Sequence, residues 1–272
     1  MSVIIPTFNR SSVIGRAIDS VLSQSYLAHE VIVIDDGSSD DTHEILIRYG
    51  DSIRIVSQSN QGVSAARNAG IGISNGKWIA LLDSDDEWME NKLEKQVEML
   101  SSNPEFKICH TDEIWIRNGR RVNAMKKHAK PDGWIFNRCL PLCCVSPSSV
   151  LINREVLDHV GLFDESLPAC EDYDLWLRIF SQYSALLVPE NLIKKYGGHD
   201  DQLSRLYWGM DRFRVRSLIK ILESGEIDEV QKAETRDVLV SKLAVLANGF
   251  RKRNKHTECD FYQSLLNNWS SN

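Results

Sequence analysis

The apolar run Lys-Trp-Ile-Ala-Leu-Leu, residues 77–82, stops at Asp83, Ser84, Asp85 and Asp86. Carboxylates crowded in this way repel one another, by about 1 kcal/mol for a pair roughly 4 Å apart even in bulk water. A divalent cation is the obvious compensation. Asp83 and Asp85 have D-x-D spacing, and at a strand end alternate side chains point the same way, so both carboxylates could address one ligand. Hard oxygen donors suit Mg2+ or Mn2+, and Mg2+ is commonly held by one or two carboxylates together with substrate phosphates. The same residues also read as a solvated acidic turn before a helix, with Asp86 or Glu87 serving the helix dipole.

Other residues carry similar pairs of readings. Asp35-Asp36-Gly37-Ser38 is turn chemistry, or a site where one Asp accepts hydrogen bonds from a nucleotide base or ribose. Phe8, after Pro6 and Thr7, packs in the core or lies against a base. Arg67 is a surface cation on a helix, or a diphosphate contact that uses its forked donors. Glu171-Asp172-Tyr173-Asp174 opens a helix, where acids are stabilising by roughly 0.3–1 kcal/mol. One of those acids could instead be a general base, taking a proton only as a hydroxyl oxygen forms its new bond. His199, behind Gly197-Gly198, is a loop side chain, or completes a metal's coordination, or touches a diphosphate.

The elements that must position these residues alternate. Residues 2–6 (SVIIP), 30–35 (EVIVID), 53–58 (IRIVSQ) and 77–82 read as buried strands. Between them Val13, Ile14, Ala17, Ile18, Val21 and Leu22 have helical spacing behind a Ser11 or Ser12 cap, and Asp41 can cap a helix through Ile45 and Leu46. A third helix starts in GVSAARNAGI, whose Ala65, Ala66, Ala69 and Gly70 allow close approach to a sheet. This rhythm predicts an α/β fold, a mostly parallel sheet flanked by helices, whose ligands bind beyond the carboxyl ends of the strands. Thr7, Phe8, Asp35, Asp36, Asp83 and Asp85 all fall there. Leu93, Val97 and Leu100 mark an amphipathic helix, Asn118-Gly119 a hairpin turn, residues 148–165 a strand, helix and turn, and the chain is helical from about Ser204.

The chain has 272 residues, 42% hydrophobic and 26% charged, with a formal net charge of −6, so it is globular and free nucleic acid is not an expected partner. Its six cysteines form no CxxC pair and no zinc spacing, which predicts reduced, partly buried thiols. No apolar stretch approaches the roughly 20 residues of a membrane span, and the first residues enter a strand without a basic region or cleavage site. The expected location is cytoplasmic, with peripheral contact at the inner membrane face left open.

Taken together, SVIIPTFNR, VIVIDDGSSDDT, NQGVSAARNAGI, GKWIALLDSDDEW and VGLFDESLPACEDYDLWLRI resemble family 2 glycosyltransferases of the GT-A fold over roughly residues 1–205. The resemblance implies a Rossmann-like GT-A sheet and an inverting enzyme that moves a sugar from a nucleotide-sugar donor, most often a UDP-sugar, to a hydroxyl of a glycan or lipid-linked acceptor. By position it implies Pro6, Thr7 and Phe8 beside the base, Asp36 on the uracil, Arg67 near the donor, and Asp83 on ribose or sugar. It implies Asp85 on the metal, Asp172 as catalytic base with Glu171 as neighbour, and His199 as a further metal or phosphate contact.

The expected division is a nucleotide-sugar-binding half, 1–105, an acceptor-binding and catalytic half, 106–204, and a C-terminal helical extension, 205–272. In the second section Trp115, Trp134 and Phe136 could meet sugar rings, and Arg117, Arg120, Arg121, Lys126, Lys127 and Lys130 could attract an anionic glycan or lipid phosphate, or form a solvated basic hairpin. The C-terminal helices, with FRVR and FRKRNK, are expected to pack on the core, to make a homodimer, or to sit on an anionic membrane. A sugar nucleotidyltransferase would need a Gly-rich phosphate loop, which PTFNRSSV lacks, and a dinucleotide-binding dehydrogenase would need GxGxxG after the first strand. A non-catalytic sugar-nucleotide binder would have no need of Asp83, Asp85 and Asp172 together.

Overall fold

The computed structural model describes every residue except Ala124, Lys126, Lys127, 199–205, Ser271 and Asn272. The β-branched runs form strands where the sequence places them: β1 (Ser2–Thr7), β2 (Glu30–Asp35), β3 (Arg54–Ser57) and β4 (Trp78–Leu81). Helices α1 (Ile14–Leu22), α2 (Thr42–Ile47) and α3 (Val63–Ile73) connect them, and the four strands pair in parallel in the order β3-β2-β1-β4. Parallel order puts the ends of β1, β2 and β4 along one edge, where Asp36 N donates to Thr7 O at 2.8 Å.

Beyond β4 the nine-stranded sheet is mixed. β8 (Leu151–Asn153) runs antiparallel to both β4 and β6 (Ile108–Arg117), and β9 (Leu186–Gly197) runs parallel to β6. The short β5 (Glu87–Trp88) closes the edge against β9, and β7 (Arg120–Val122) forms the hairpin on β6. Asn118 and Gly119 take positive φ, 50° and 72°, as a two-residue hairpin turn requires. One sheet therefore runs from the first half of the chain into the second.

Side chains alternate across this sheet. Val3, Ile5, Ala80 and Leu82 pack under α1 and α4 (Lys92–Ser102). Ile4, Ile79, Leu81 and Ile152 share a core with α5 (Phe136–Cys139), α6 (Arg154–Val160) and α7 (Glu171–Phe180). The helices α8 (Asp211–Glu223), α9 (Glu229–Lys252) and α10 (His256–Ser270) join this second core through Leu218, Leu239, Leu243, Phe250 and Tyr262, against Trp176 and Phe180. Of the roles open to the C-terminal helices, packing on the core is the one observed.

Two expected caps are absent. Val13, not Ser11 or Ser12, occupies the position before α1, with no side-chain bond, and Arg10 O takes the Val13 and Ile14 amides at 3.0 and 2.9 Å. Asp41 makes no capping bond either; Asp40 accepts from Thr42 N at 3.0 Å. In α4 the buried face contains Lys92 and Gln96 as well as Leu93 and Leu100, while Val97 is only partly buried. Lys92 Nζ lies 3.9 Å from the Trp88 ring centroid and donates to Gln96 at 2.7 Å. Burial lowers its pKa to about 7.

Close helix–sheet approach depends on Gly70. A Cβ there would stand 2.4 Å from Ile4 Cγ2 and 3.3 Å from Ile34 Cγ1. Helix propensity favours alanine over glycine by about 1 kcal/mol, whereas overpacking a core costs about 1–3 kcal/mol. Gly70→Ala is therefore predicted to lower the urea midpoint at unchanged slope; a higher midpoint would show that α3 has room to move off the sheet.

Candidate active site

The site is organised by Arg67, in the second turn of α3 and 3% exposed. The small residues around it bring α3 close to the sheet and carry the guanidinium inward. Nη2 binds Asp83 Oδ1 and Nη1 binds Glu171 Oε1, both at 2.7 Å. The end of β4 and the start of α7 are thus tied by one planar cation. Burial disfavours the guanidinium's charge, but Asp83 and Glu171 push its pKa above the ordinary arginine range. Burial and the neighbouring Asp172 raise the pKa of Glu171, and Arg67 opposes them.

The crowded acids after β4 divide their roles. Asp86 is 1% exposed and turned inward, where Oδ2 accepts from Ser148 Oγ at 2.7 Å and Oδ1 from Tyr196 N at 3.1 Å. Burial, with Asp85 and Asp83 beside it, raises its pKa well above the carboxylate range against the pull of Lys195. Asp83 and Asp85 are partly buried at the mouth of the strand. Among the described residues no three His, Cys, Asp or Glu side chains form a group able to hold a metal ion by themselves. Asp83 and Asp85 supply hard oxygens on one turn, a donor set that fits a cation whose remaining positions are filled by a diphosphate and water.

Asp172 stands on the other wall, next to Glu171 in the first turn of α7. Cys170 precedes the helix with φ 61°, a left-handed conformation that turns the chain sharply into α7. Tyr173 N donates to Asp172 Oδ1 at 2.7 Å and Cys143 Sγ to Oδ2 at 3.2 Å. Burial and Asp172 push the Cys143 thiol well up, so it stays a protonated donor.

On the neighbouring strand ends, Pro6 and Thr7 are buried and Phe8 is 43% exposed, so Phe8 is not a core residue. Asp36 accepts from Gln58 Nε2 at 2.7 Å, Gln61 N at 2.9 Å and Gly62 N at 2.8 Å. It organises the loop before α3, with about one of a carboxylate's four acceptor positions left. Among the described residues the buried Thr7 Oγ1, Ser64 Oγ and Arg67 Nε have no partner within the chain. Such orphaned polar atoms are uncommon in a finished interior, and these belong to β1 and the start of α3. His199 lies outside the described residues.

The expected acceptor-side cluster is only partly a surface. Phe136 is 4% exposed and belongs to the core, packed there with Ile135, Cys139 and Trp176. Lys130 is no solvated base: its Nζ lies 3.1 Å from Glu113 Oε1 with both side chains buried. Trp134 is exposed, as are Arg117, Arg120 and Arg121, and Lys126 and Lys127 lie outside the described residues.

The sequence model described as "Glycosyl transferase family 2" matches residues 2–161, and "Glycosyltransferase like family 2" matches residues 125–218. The chain belongs to glycosyltransferase family 2. The UDP-Glc:α-D-GlcNAc-diphosphoundecaprenol β-1,3-glucosyltransferase WfgD of Escherichia coli is 36% identical over 182 residues, 66% of this chain and 69% of WfgD. An uncharacterized glycosyltransferase of Rickettsia prowazekii is 35% identical over 205 residues, 71% of this chain and 63% of that protein. One from Rickettsia bellii is 34% identical over 216 residues, covering 75% of this chain and 31% of that protein, so the chain spans only part of its Rickettsia relatives' length. S. aureus TarS 1–349 in complex with UDP-GlcNAc superposes with a TM-score of 0.70 at 20% identity, over 89% of this chain and 71% of that one. At that identity the likeness is one of fold, and that fold is GT-A.

Within this family 2 site the structure adds residues that sequence reasoning missed. Lys195 Nζ donates to Ser146 Oγ at 3.1 Å, and Ser146 Oγ donates to Glu113 Oε2 at 2.6 Å. Burial works against the charge on Lys195, yet Glu113, Asp86, Asp83 and Asp172 together raise its pKa. Burial would likewise raise the Glu113 carboxyl, but Lys130 and Lys195 hold it down at about 2. A register shift between Asp112 and Glu113 turns Glu113 inward, and nothing in the alternation of HTDEIW signals it. Cys143 carried no signal beyond the expectation that the cysteines are reduced, partly buried thiols.

Removing one partner of a buried ion pair costs about 3–5 kcal/mol, because the other charge stays behind. Arg67→Met is predicted to lose on that order at pH 8. The loss should shrink toward pH 5.5. Glu171 has a raised folded-state pKa and would bind a proton more readily than the unfolded chain, so stability grows as pH falls through that range. Urea titrations at both pH values measure this, and an equal loss at each would mean that Glu171 is not the stranded charge.

Proposed function

We propose that this chain is a metal-dependent inverting glycosyltransferase that moves a sugar from a UDP-sugar to a hydroxyl of a lipid-linked or glycan acceptor. The single observation that carries the reading is the Arg67 clamp, which holds Asp83 and Glu171 at 2.7 Å each and so sets Asp172 on the wall facing the strand-end acids. Family membership supports the class of reaction. The relatives WfgD and WfaP are named for UDP-Glc and for α-D-GlcNAc-diphosphoundecaprenol, which supports the donor and the lipid-linked acceptor.

The donor lies over the carboxyl ends of β1, β2 and β4. Phe8 presents a ring to the base, and Thr7 and Asp36 offer polar atoms beside it. Asp83 meets the ribose or sugar while Arg67 adds positive charge beneath the diphosphate. Asp85, with Asp83, holds Mn2+ or Mg2+, and His199 is a candidate for a further contact. When bound, such an ion offsets the charge that develops on a departing diphosphate.

The acceptor hydroxyl enters from the α7 side. Its oxygen attacks the anomeric carbon opposite the diphosphate, and the bond from that carbon to the diphosphate oxygen breaks, leaving the electron pair on the nucleotide. Asp172 takes the hydroxyl proton as the new bond forms. Attack from the face opposite the leaving group inverts the anomeric centre. Cys143 holds one Asp172 oxygen by a hydrogen bond, so the carboxylate is oriented before substrate arrives.

Asp172→Asn is predicted to lower kcat by about 10²–10⁴-fold, the usual worth of a general base, with UDP affinity within about twofold of wild type. Asp85→Ala is predicted to abolish the gain in UDP affinity that Mn2+ confers. Calorimetry with and without Mn2+, alongside UDP-release assays over a panel of UDP-sugars, reads both. Normal turnover by Asp172→Asn removes it from the mechanism, and UDP affinity indifferent to Mn2+ in the wild type removes the metal.

A further inference from the structure

We propose that the face around Trp208, beside the α9–α10 turn, docks the protein on an anionic lipid bilayer. Trp208 is 51% exposed and lies between two cations: Arg212 Cζ is 3.9 Å and Lys255 Nζ 5.3 Å from its ring centroid. Its ring meets Phe250 edge-on at 5.7 Å, Phe250 stacks on Tyr262 at 5.3 Å, and Phe261 meets Tyr262 edge-on at 5.1 Å. This aromatic row is buried in its middle and open at its ends, since Phe261 is 58% exposed.

Basic residues gather at the Trp208 end of the row. Arg251 and Lys252 at the end of α9, and Arg253 and Lys255 in the turn that follows, are exposed; Glu258 lies 3.9 Å from Lys255, and the exposed Asp260 precedes Phe261. The whole chain is acidic, with a formal net charge of −6, so this concentration of positive charge runs against its overall balance. An exposed Trp that carries Lys and Arg, with an exposed Phe at the far end of its row, suits the interface of a bilayer, where rings enter the headgroup region and cations meet anionic lipids. Nucleic acid would fit the cations but give the exposed Phe261 no comparable place, and the protein's net charge would oppose it.

The face adjoins the catalytic wall. Two residues after Trp208, Met210 O accepts from Cys170 Sγ at 3.8 Å, and Cys170 leads into the α7 turn that carries Asp172. A protein lying on this face would keep the acceptor side of its site close to the lipid surface. That purpose, though not the docking itself, rests on the reading that the acceptor is lipid-linked.

Sedimentation of the full chain with vesicles tests the proposal. Binding to phosphatidylglycerol–phosphatidylcholine vesicles at about 0.1 M salt should exceed binding to pure phosphatidylcholine by roughly tenfold or more, and should fall steeply at about 0.5 M salt. The triple variant K252E/R253E/K255E should lose that binding while its UDP affinity stays that of wild type, which shows that it is folded. Phe261→Ser should weaken binding without altering the dependence on salt. Equal binding to neutral vesicles, wild-type binding by the triple variant, or retention of RNA in place of vesicles would overturn the proposal. Vesicle binding by a protein that fails to bind any UDP-sugar would uphold the docking face and overturn the transferase reading.

Discussion

A guanidinium held between two carboxylates ties together parts of the chain that lie 16 and 104 residues away from it. Asp83 belongs to the mouth of β4 and Glu171 to the first turn of α7, so the Arg67 bridge fixes the separation of the two walls of the site. A buried ion pair of this kind is weak support for stability, because desolvation offsets much of the attraction. Its value is geometric. A planar fork with one carboxylate on each side permits little variation in where those acids sit, and Asp172 inherits its place from Glu171.

The remaining charges are balanced in the same local fashion. Asp86, which would add a third repelling acid at the mouth, is turned inward to Ser148 and the Tyr196 amide. Lys195 stands between the strand-end acids and the buried Glu113–Lys130 pair and is bonded through Ser146 to Glu113. Three acidic side chains at one strand end are tolerable because one leaves the cluster, one is matched by Arg67, and Lys195 stands near. A diphosphate brought into such a place still needs positive charge, which is why a bound divalent ion belongs to the proposed reaction.

Much of the fold could be read directly. The β-branched runs, the small-residue helix and the Asn118-Gly119 turn are local signals, and local chemistry decided them. The positions of Asp83 and Asp85 at a strand end, and of Glu171, Asp172 and Asp174 at a helix start, were legible for the same reason, while the choice of Asp172 among the helix-start acids came from the resemblance to family 2 glycosyltransferases. Partnerships were not legible. Arg67 read equally well as a surface cation, because its second partner is remote in sequence. Phe136 and Lys130 read as surface groups, because the core and the ion pair that absorb them are built by tertiary packing. Lys92 and Gln96 are buried polar residues on a helix that reads as amphipathic, and their partners Trp88 and the backbone of Cys109 and Ser149 come from elsewhere in the fold. The two caps fail separately: Arg10 O takes the Val13 and Ile14 amides, so no serine hydroxyl serves α1, and Asp41 holds the cap position of α2 without a side-chain bond while Asp40 takes the Thr42 amide.

The Arg67–Glu171 contact links the two walls of the site energetically. A double-mutant cycle on folding stability at pH 8, with Arg67→Met, Glu171→Gln and the pair, measures that link directly. A coupling of about 2 kcal/mol or more is expected, with the double variant losing far less than the sum of the singles. Additivity within about 0.5 kcal/mol would mean that the two side chains act independently, and the positioning of Asp172 by this clamp would be wrong.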